Sequence, residues 1–195
     1  MTDAEYLAVV RGRLGGYRFT HSLGVAESAK VLAARYGADE QKAYTAGLLH
    51  DVMKDTANEE QLALFAEYGV RLLPEEQIAP QLWHAIAGEC FAKQVLGVCD
   101  ADILAAIRYH TTGRAGMSLL EKVVFTADFI SIDRVYPGVE RMREKAQISL
   151  DAAMAEGFQF TMTKLLADEK AIHPDMLAGY NEIILKWNQN KKGDC

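Results

Sequence analysis

The sequence predicts an all-α protein, and three observations carry that expectation. Apolar residues recur at helical spacing between glycine breaks, as in Val25, Ala29, Leu32 and Tyr36 ahead of Gly37. Thr2 with Glu5, and Ser118 with Glu121, have the spacing of capping boxes, in which the N-cap and N3 side chains each take the other's backbone N–H. There is no β-hairpin signal, internal repeat, low-complexity tract or domain linker.

In chain order, Thr2 opens a first helix that runs to about Leu14 and is broken by Gly15-Gly16. Thr20 caps a second, ending at Gly37. Asp39 caps a third, with Ala43, Ala46, Leu49 and Met53 on one stripe, expected to continue to about Asp55. Asn58 with Gln61 opens a fourth to Gly69, and Pro74 begins a short turn. A long helix covers about 81–96, and Asp100 caps another to about Tyr109. Residues 111–116 form a loop before the Ser118 helix, which reaches about Ile132. After a Pro137-Gly138 turn come a short helix near 139–145, a longer one from Ser149 to about Asp168, and a last one after Pro174. Asn188 to Cys195 read as a loose end. The whole is expected to be one domain over residues 1–195, with helices of about 149–190 packed on a core of about 14–145.

Composition narrows the function. Half of the 195 residues are hydrophobic, which is ample for a core. A net charge of -6 argues against an extended nucleic-acid surface, so an anionic substrate has to meet local cations or metal. Cys90, Cys99 and Cys195 have no metal-type spacing and an odd count, which suits a reducing cytoplasm. No signal peptide or membrane span is expected, and a homodimer is left open.

The chemistry gathers at the histidines. His21, His84 and His110 lie on separate expected helices, and His50 stands beside Asp51 at the end of an apolar run. Asp128 lies inside Val-Val-Phe-Thr-Ala-Asp-Phe-Ile, where burying a carboxylate is costly unless it is paired or bound to metal. Helix bundles build metal sites from side chains that converge from facing helices. Mixed imidazole and carboxylate ligands suit zinc, iron, manganese or cobalt. His173, before Pro174, and the cysteines gain no role.

The order Arg18-Phe19-Thr20-His21-Ser22, Ala46-Gly47-Leu48-Leu49-His50-Asp51, then Asp128, resembles the HD-domain metal-dependent phosphohydrolases. His84 and His110 match the two further histidines of members that hold two metals. Arg108-Tyr109-His110-Thr111-Thr112-Gly113-Arg114 and Pro137-Gly138-Val139-Glu140 resemble the YqeK family within them, the symmetrical dinucleoside tetraphosphatases. The family often places an acidic residue and a proline before an Arg after the last Asp; here the segment is Ser131-Ile132-Asp133-Arg134.

The resemblance implies an HD-domain bundle with a dinuclear site in its core, iron being the metal it suggests. His21, His50 and Asp128 with Asp51 are assigned to one ion, and His84 and His110 with Asp51 to the other. Asp51, with two carboxylate oxygens, is the bridging and catalytic residue. Paired metals provide hydroxide at neutral pH and neutralise phosphoryl charge. The expected reaction is central cleavage of diadenosine tetraphosphate to two ADP. Lys54, Arg114 and Arg134 are the candidate phosphate contacts. Asp55 is read either as an acceptor orienting His21 or Lys54, or as an ordinary helix-end carboxylate. Tyr109, Phe129 and Tyr136 are either base-stacking or core aromatics. Other readings are a nucleotidase or cyclic-dinucleotide phosphodiesterase, a di-iron oxygenase, and a nucleotide-sensing module.

Overall fold

The structure, a computed structural model, describes the backbone of residues 1–193 and side chains through Gln189. It is built of eleven α-helices and one 3₁₀ turn, with no strand among the described residues. Helix α1 (Asp3–Arg13) starts in the expected Thr2–Glu5 capping box. Helices α2 (Gly16–Tyr36) and α3 (Glu40–Leu49) are joined by Gly37 in the left-handed conformation and by the Asp39 cap. They approach closely because Gly47 lacks a side chain. A Cβ there would lie 2.9 Å from the Ala26 Cα.

Helix α4 (Asn58–Tyr68) is followed by a single turn, α5 (Pro74–Gln77), and the 3₁₀ turn Pro80–Leu82. Then come α6 (Trp83–Gln94), α7 (Ala101–Tyr109) and α8 (Leu119–Ile130), the last opened by the Ser118–Glu121 box. Helices α9 (Val139–Ile148), α10 (Leu150–Ala167) and α11 (Pro174–Gly193) complete the fold. Helix α2 lies along α3 and α8, α7 packs on α6 and α8, and α10 packs on α8, α9 and α11. The main apolar core takes side chains from α1, α2, α3, α6, α7 and α8. A second cluster, around Phe125, Phe158 and Met176, seats α10 and α11, and Phe129 packs against both.

Several boundaries differ from expectation. Helix α2 begins at Gly16, a turn before Thr20, because the Gly15 N–H is taken by the Asp55 carboxylate at 2.9 Å. Thr20 is inside the helix, with its hydroxyl on the Gly16 carbonyl. Helix α3 stops at Leu49, not near Asp55. Residues 50–56 wind on through i to i+3 bonds, such as Val52 N to Leu49 O at 3.0 Å and Lys54 N to Asp51 O at 2.8 Å. Helix α4 is preceded by Ala57 with no side-chain cap, so Asn58 is not its N-cap. Helix α8 ends at Ile130, and α9 runs on to Ile148. Asn188, expected to be loose, lies in α11, which continues to Gly193. Asp194 and Cys195 lie outside the described residues.

Candidate metal centre

All six expected ligands come together. His21, His50, His84 and His110 are each at most 3% exposed, and Asp51 is buried. The imidazoles form a row, with centroids 5.4 Å apart for His21–His50, 4.9 Å for His50–His110 and 5.2 Å for His110–His84. Asp51 and Asp128 lie along it. Three triads, His21–His50–Asp51, His50–His110–Asp128 and Asp51–His84–His110, each have donor atoms within 4.8 Å of one another.

Helix ends and turns aim these rings. His50 stands at the C-cap of α3, and its Nδ1 donates to the Gly47 carbonyl at 2.6 Å. His110 stands at the C-cap of α7 and does the same to Ile107 at 2.7 Å. His84, at the start of α6, donates from Nδ1 to Gln81 at 2.8 Å. Each ring thus takes the carbonyl three residues before it, at positions where a helix end or a tight turn leaves that oxygen available. The tautomer follows: with hydrogen on Nδ1, each Nε2 presents a lone pair. This is the arrangement of metal-ligating histidines, whose second nitrogen donates to a backbone carbonyl or a carboxylate.

The three lone pairs meet around Asp51. Its Oδ1 lies 3.2 Å from His84 Nε2 and 3.5 Å from His110 Nε2, while Oδ2 lies 3.6 Å from His50 Nε2. His50 Nε2 and Asp51 Oδ1 are buried and complete no hydrogen bond. Buried polar atoms are rarely left so. A cation between them satisfies both, so this donor set fits metal. His21 is held from both sides, by Asp133 on Nδ1 at 2.8 Å and by Asp128 on Nε2 at 2.9 Å.

Charge follows the same geometry. Burial pushes the His50 and His84 imidazoles down to about 4. Burial also opposes charge on His21, but the hydrogen bond to Asp128 and that carboxylate's charge outweigh it and raise the ring. Burial alone disfavours the Asp51 carboxylate, yet His50, His110, His84 and Lys54 hold it well below the usual range. Asp128 is likewise held low, against its burial, by the His21 hydrogen bond and the Arg134 charge.

The surrounding residues divide into those drawn in and those held away. Lys54 is drawn in. Its Nζ lies 2.9 Å from His84 Nε2 and 3.7 Å from Asp51 Oδ1, and burial lowers its pKa. Because α3 ends at Leu49, Lys54 turns toward His84 and does not stand one helical turn above His50. Arg134 is also drawn in: Nε donates to the Asp128 carbonyl at 2.8 Å, and Nη2 meets both the Asp128 carboxylate and His21 Nε2.

Arg114 is held away, because Nε and Nη2 grip the two oxygens of buried Glu121 at 2.6 and 2.9 Å. Its guanidinium also covers the Tyr109 ring. The turn that carries it needs Gly113, whose φ is 58° and whose missing Cβ would fall 2.6 Å from the Phe158 ring. Asp55 touches neither His21 nor Lys54. It accepts from Gly15 N–H and from Arg18 Nε at 2.5 Å. Phe129 packs against both apolar clusters, and half-buried Tyr136 donates its hydroxyl to the Phe129 carbonyl beside the Phe160 ring.

Two residues of the site carried no sequence expectation. Asp133 takes the His21 hydrogen, the role considered for Asp55. Thr111 lies at the other end, with Oγ1 2.9 Å from His110 Nε2 and 3.3 Å from His84 Nε2. The one signal for either was its place in a motif, Thr111 directly after His110 and Asp133 directly before Arg134.

A helical bundle that gathers a His, a His-Asp doublet and a distant Asp in one cluster defines an HD-domain protein, and the HD domain family model matches residues 18–133. The chain is 40% identical to a symmetrical bis(5'-nucleosyl)-tetraphosphatase of Halalkalibacterium halodurans, over 95% of this chain and 99% of that one. It is 39% identical to the Bacillus subtilis protein of the same description, over 94% and 98%. A solved structure from Clostridium acetobutylicum, described as a predicted HD superfamily hydrolase involved in NAD metabolism, superimposes with a TM-score of 0.92 at 34% identity, covering 95% of this chain and 98% of that one. The chain belongs to the HD-domain family, among the symmetrical bis(5'-nucleosyl)-tetraphosphatases.

Proposed function

We propose that this chain hydrolyses diadenosine tetraphosphate at its centre, giving two ADP, with two metal ions held by the six-residue cluster. One observation carries the reading: Asp51 belongs to two separate triads, one with His21 and His50 and one with His84 and His110. Asp51 would accordingly be shared by both ions, with His21, His50 and Asp128 completing one position and His84 and His110 the other. Iron is the metal we assign, and manganese, cobalt and zinc suit the same donors. When bound, such ions provide a nucleophile from water at neutral pH and neutralise charge on the phosphoryl oxygens.

The protein's own groups supply the rest. Lys54 places an ammonium at the His84 end, and Arg134 a guanidinium at the His21 end. A tetraphosphate cut at its centre has phosphates running away on both sides, and a cation at each end of the cluster matches that demand. Arg134 is already fixed by Asp128, which leaves its Nη1 without a described partner and available to phosphate. We place the enzyme in the cytoplasm, in keeping with free Cys90 and Cys99. No helix among the described residues is long and apolar enough to cross a membrane.

Chromatography of the products of metal-loaded protein with diadenosine tetraphosphate tests the reading. ADP is expected as the sole early product, and isotopically labelled water should mark one of the two ADP molecules. Equimolar ATP and AMP at early times, or turnover confined to mononucleotides or cyclic dinucleotides, would refute it.

A further inference from the structure

Glu76, in the single turn α5, is 2% exposed and lies outside the metal cluster. A carboxylate buried so deeply is costly unless it is paired. We propose that Glu76 is the positioning residue for the metal position formed by His84 and His110, an inference that rests on the two-metal reading above.

Its contacts run to the chain beside both histidines. Oε1 accepts from Nη2 of Arg108, two residues before His110. The Glu76 carbonyl accepts the Trp83 Nε1 hydrogen at 2.6 Å, and Trp83 directly precedes His84. The same carbonyl accepts the Ala79 N–H at 3.2 Å, just before the 3₁₀ turn in which Gln81 anchors His84. Oε2 accepts the Leu73 N–H at 2.8 Å, so the turn that carries the carboxylate is itself fixed. His173 faces Oε1 from the chain before α11, with Nε2 at 3.4 Å. Its Nδ1 accepts the Asp175 N–H, which leaves the ring hydrogen on Nε2, toward Glu76.

The His84 and His110 rings do not hold their spacing by themselves. Their Nε2 lone pairs stand 3.2 Å apart and push each other away. A single residue bound to the chain beside each ring opposes that separation. Cohesion alone does not require a buried charge, since apolar residues of similar volume serve as well. Here the charge meets Arg108 across 32 positions and fixes α7 against the turn that leads into α6. Groups that orient metal ligands in this way typically change metal affinity 10–100-fold when removed.

Chelator titration of manganese-loaded protein tests it. Glu76→Gln and, separately, Trp83→Phe should each release one of two ions at a chelator concentration lower by roughly 10–100-fold. The other ion should be retained as in the parent. Added to His84→Ala, which keeps only the ion at the His21 end, neither change should have an effect. Trp83→Phe keeps an aromatic ring against Phe65, so it decides the matter if Glu76→Gln fails to fold. Release of both ions shifted alike overturns the positioning role and leaves the two-metal reading standing. So does lower stability in denaturant with neither ion shifted. A single ion in the parent overturns both readings.

Discussion

The Nε2 atoms of His84 and His110 face each other across 3.2 Å, although each ring has already given its Nδ1 hydrogen to a backbone carbonyl. Two lone pairs at that distance repel. Donors from Lys54 and Thr111 lie against these nitrogens and relieve the repulsion. A bound metal would take up both lone pairs instead. Elemental analysis should give two ions per chain for the parent, one for His84→Ala and none for Asp51→Ala. Saturation of a site at about a hundred times its dissociation constant should stabilise the fold by ~2.7 kcal/mol per ion. One ion in the parent, with His84→Ala retaining it, would contradict the dinuclear assignment.

The three basic candidates should separate experimentally. Lys54→Met and Arg134→Ala each remove a charged donor beside the cluster and should lower kcat/KM by roughly 10–100-fold, the equivalent of about 1.5–3 kcal/mol. Lys54→Met should also bind metal more tightly, because a competing cation leaves His84. Arg114→Ala should leave kinetics intact and reduce stability by about 1–2 kcal/mol, a charged pair discounted for the part of the guanidinium facing water. Steady-state kinetics and denaturant titration on the three variants decide it. A kinetic loss confined to Arg114→Ala would reverse the assignment.

The metal-free protein should weaken in acid. His50 and His84 titrate at about 4 in the fold, against an ordinary 6.5. Between these values the unfolded chain binds more protons than the folded one, so stability falls as pH drops through that window. His21 is raised and acts in the opposite sense, but it is one ring against two. Thermal unfolding in a chelator, scanned from pH 6.5 to 4, should show a steadily falling midpoint. A flat profile would mean that these rings are not buried as neutral bases.

Gly47→Ala should destabilise the fold by about 1–3 kcal/mol, as overpacking does. The added methyl meets backbone atoms of α2 at 2.9 to 3.2 Å, which cannot rotate aside. The gain of about 1 kcal/mol from replacing glycine in a helix is too small to offset this. Because His50 hangs from the Gly47 carbonyl, metal affinity should fall with stability. Chemical denaturation alongside metal titration would expose an unchanged variant.

The sequence made the six clustered residues and most helices legible because both depend on local spacing and residue type. Capping boxes at Thr2 and Ser118 are closed by neighbours three residues away, so their signal is contained in a short window. Arg114 and Asp55 were not legible in this way. Arg114 is distinguished from Arg134 by whether a carboxylate elsewhere claims it, and buried Glu121 does. Asp55 is captured by Gly15 and Arg18, about forty residues earlier in the chain. Asp133 reaches His21 across 112 residues, and only the early end of α8 swings it there. Such outcomes are settled by tertiary packing, which periodicity does not encode.

The contact between His21 and Asp128 joins positions 107 residues apart. An ion held by both is a reversible cross-link on most of the chain. A permanent link around a loop of about 100 residues restricts the unfolded chain by ~4.7 kcal/mol. With such an ion in place the link would open only on its departure, so global unfolding would wait for metal release. Resistance to proteases would then track metal supply, and the lifetime of the chain would become a readout of how well its centre is filled.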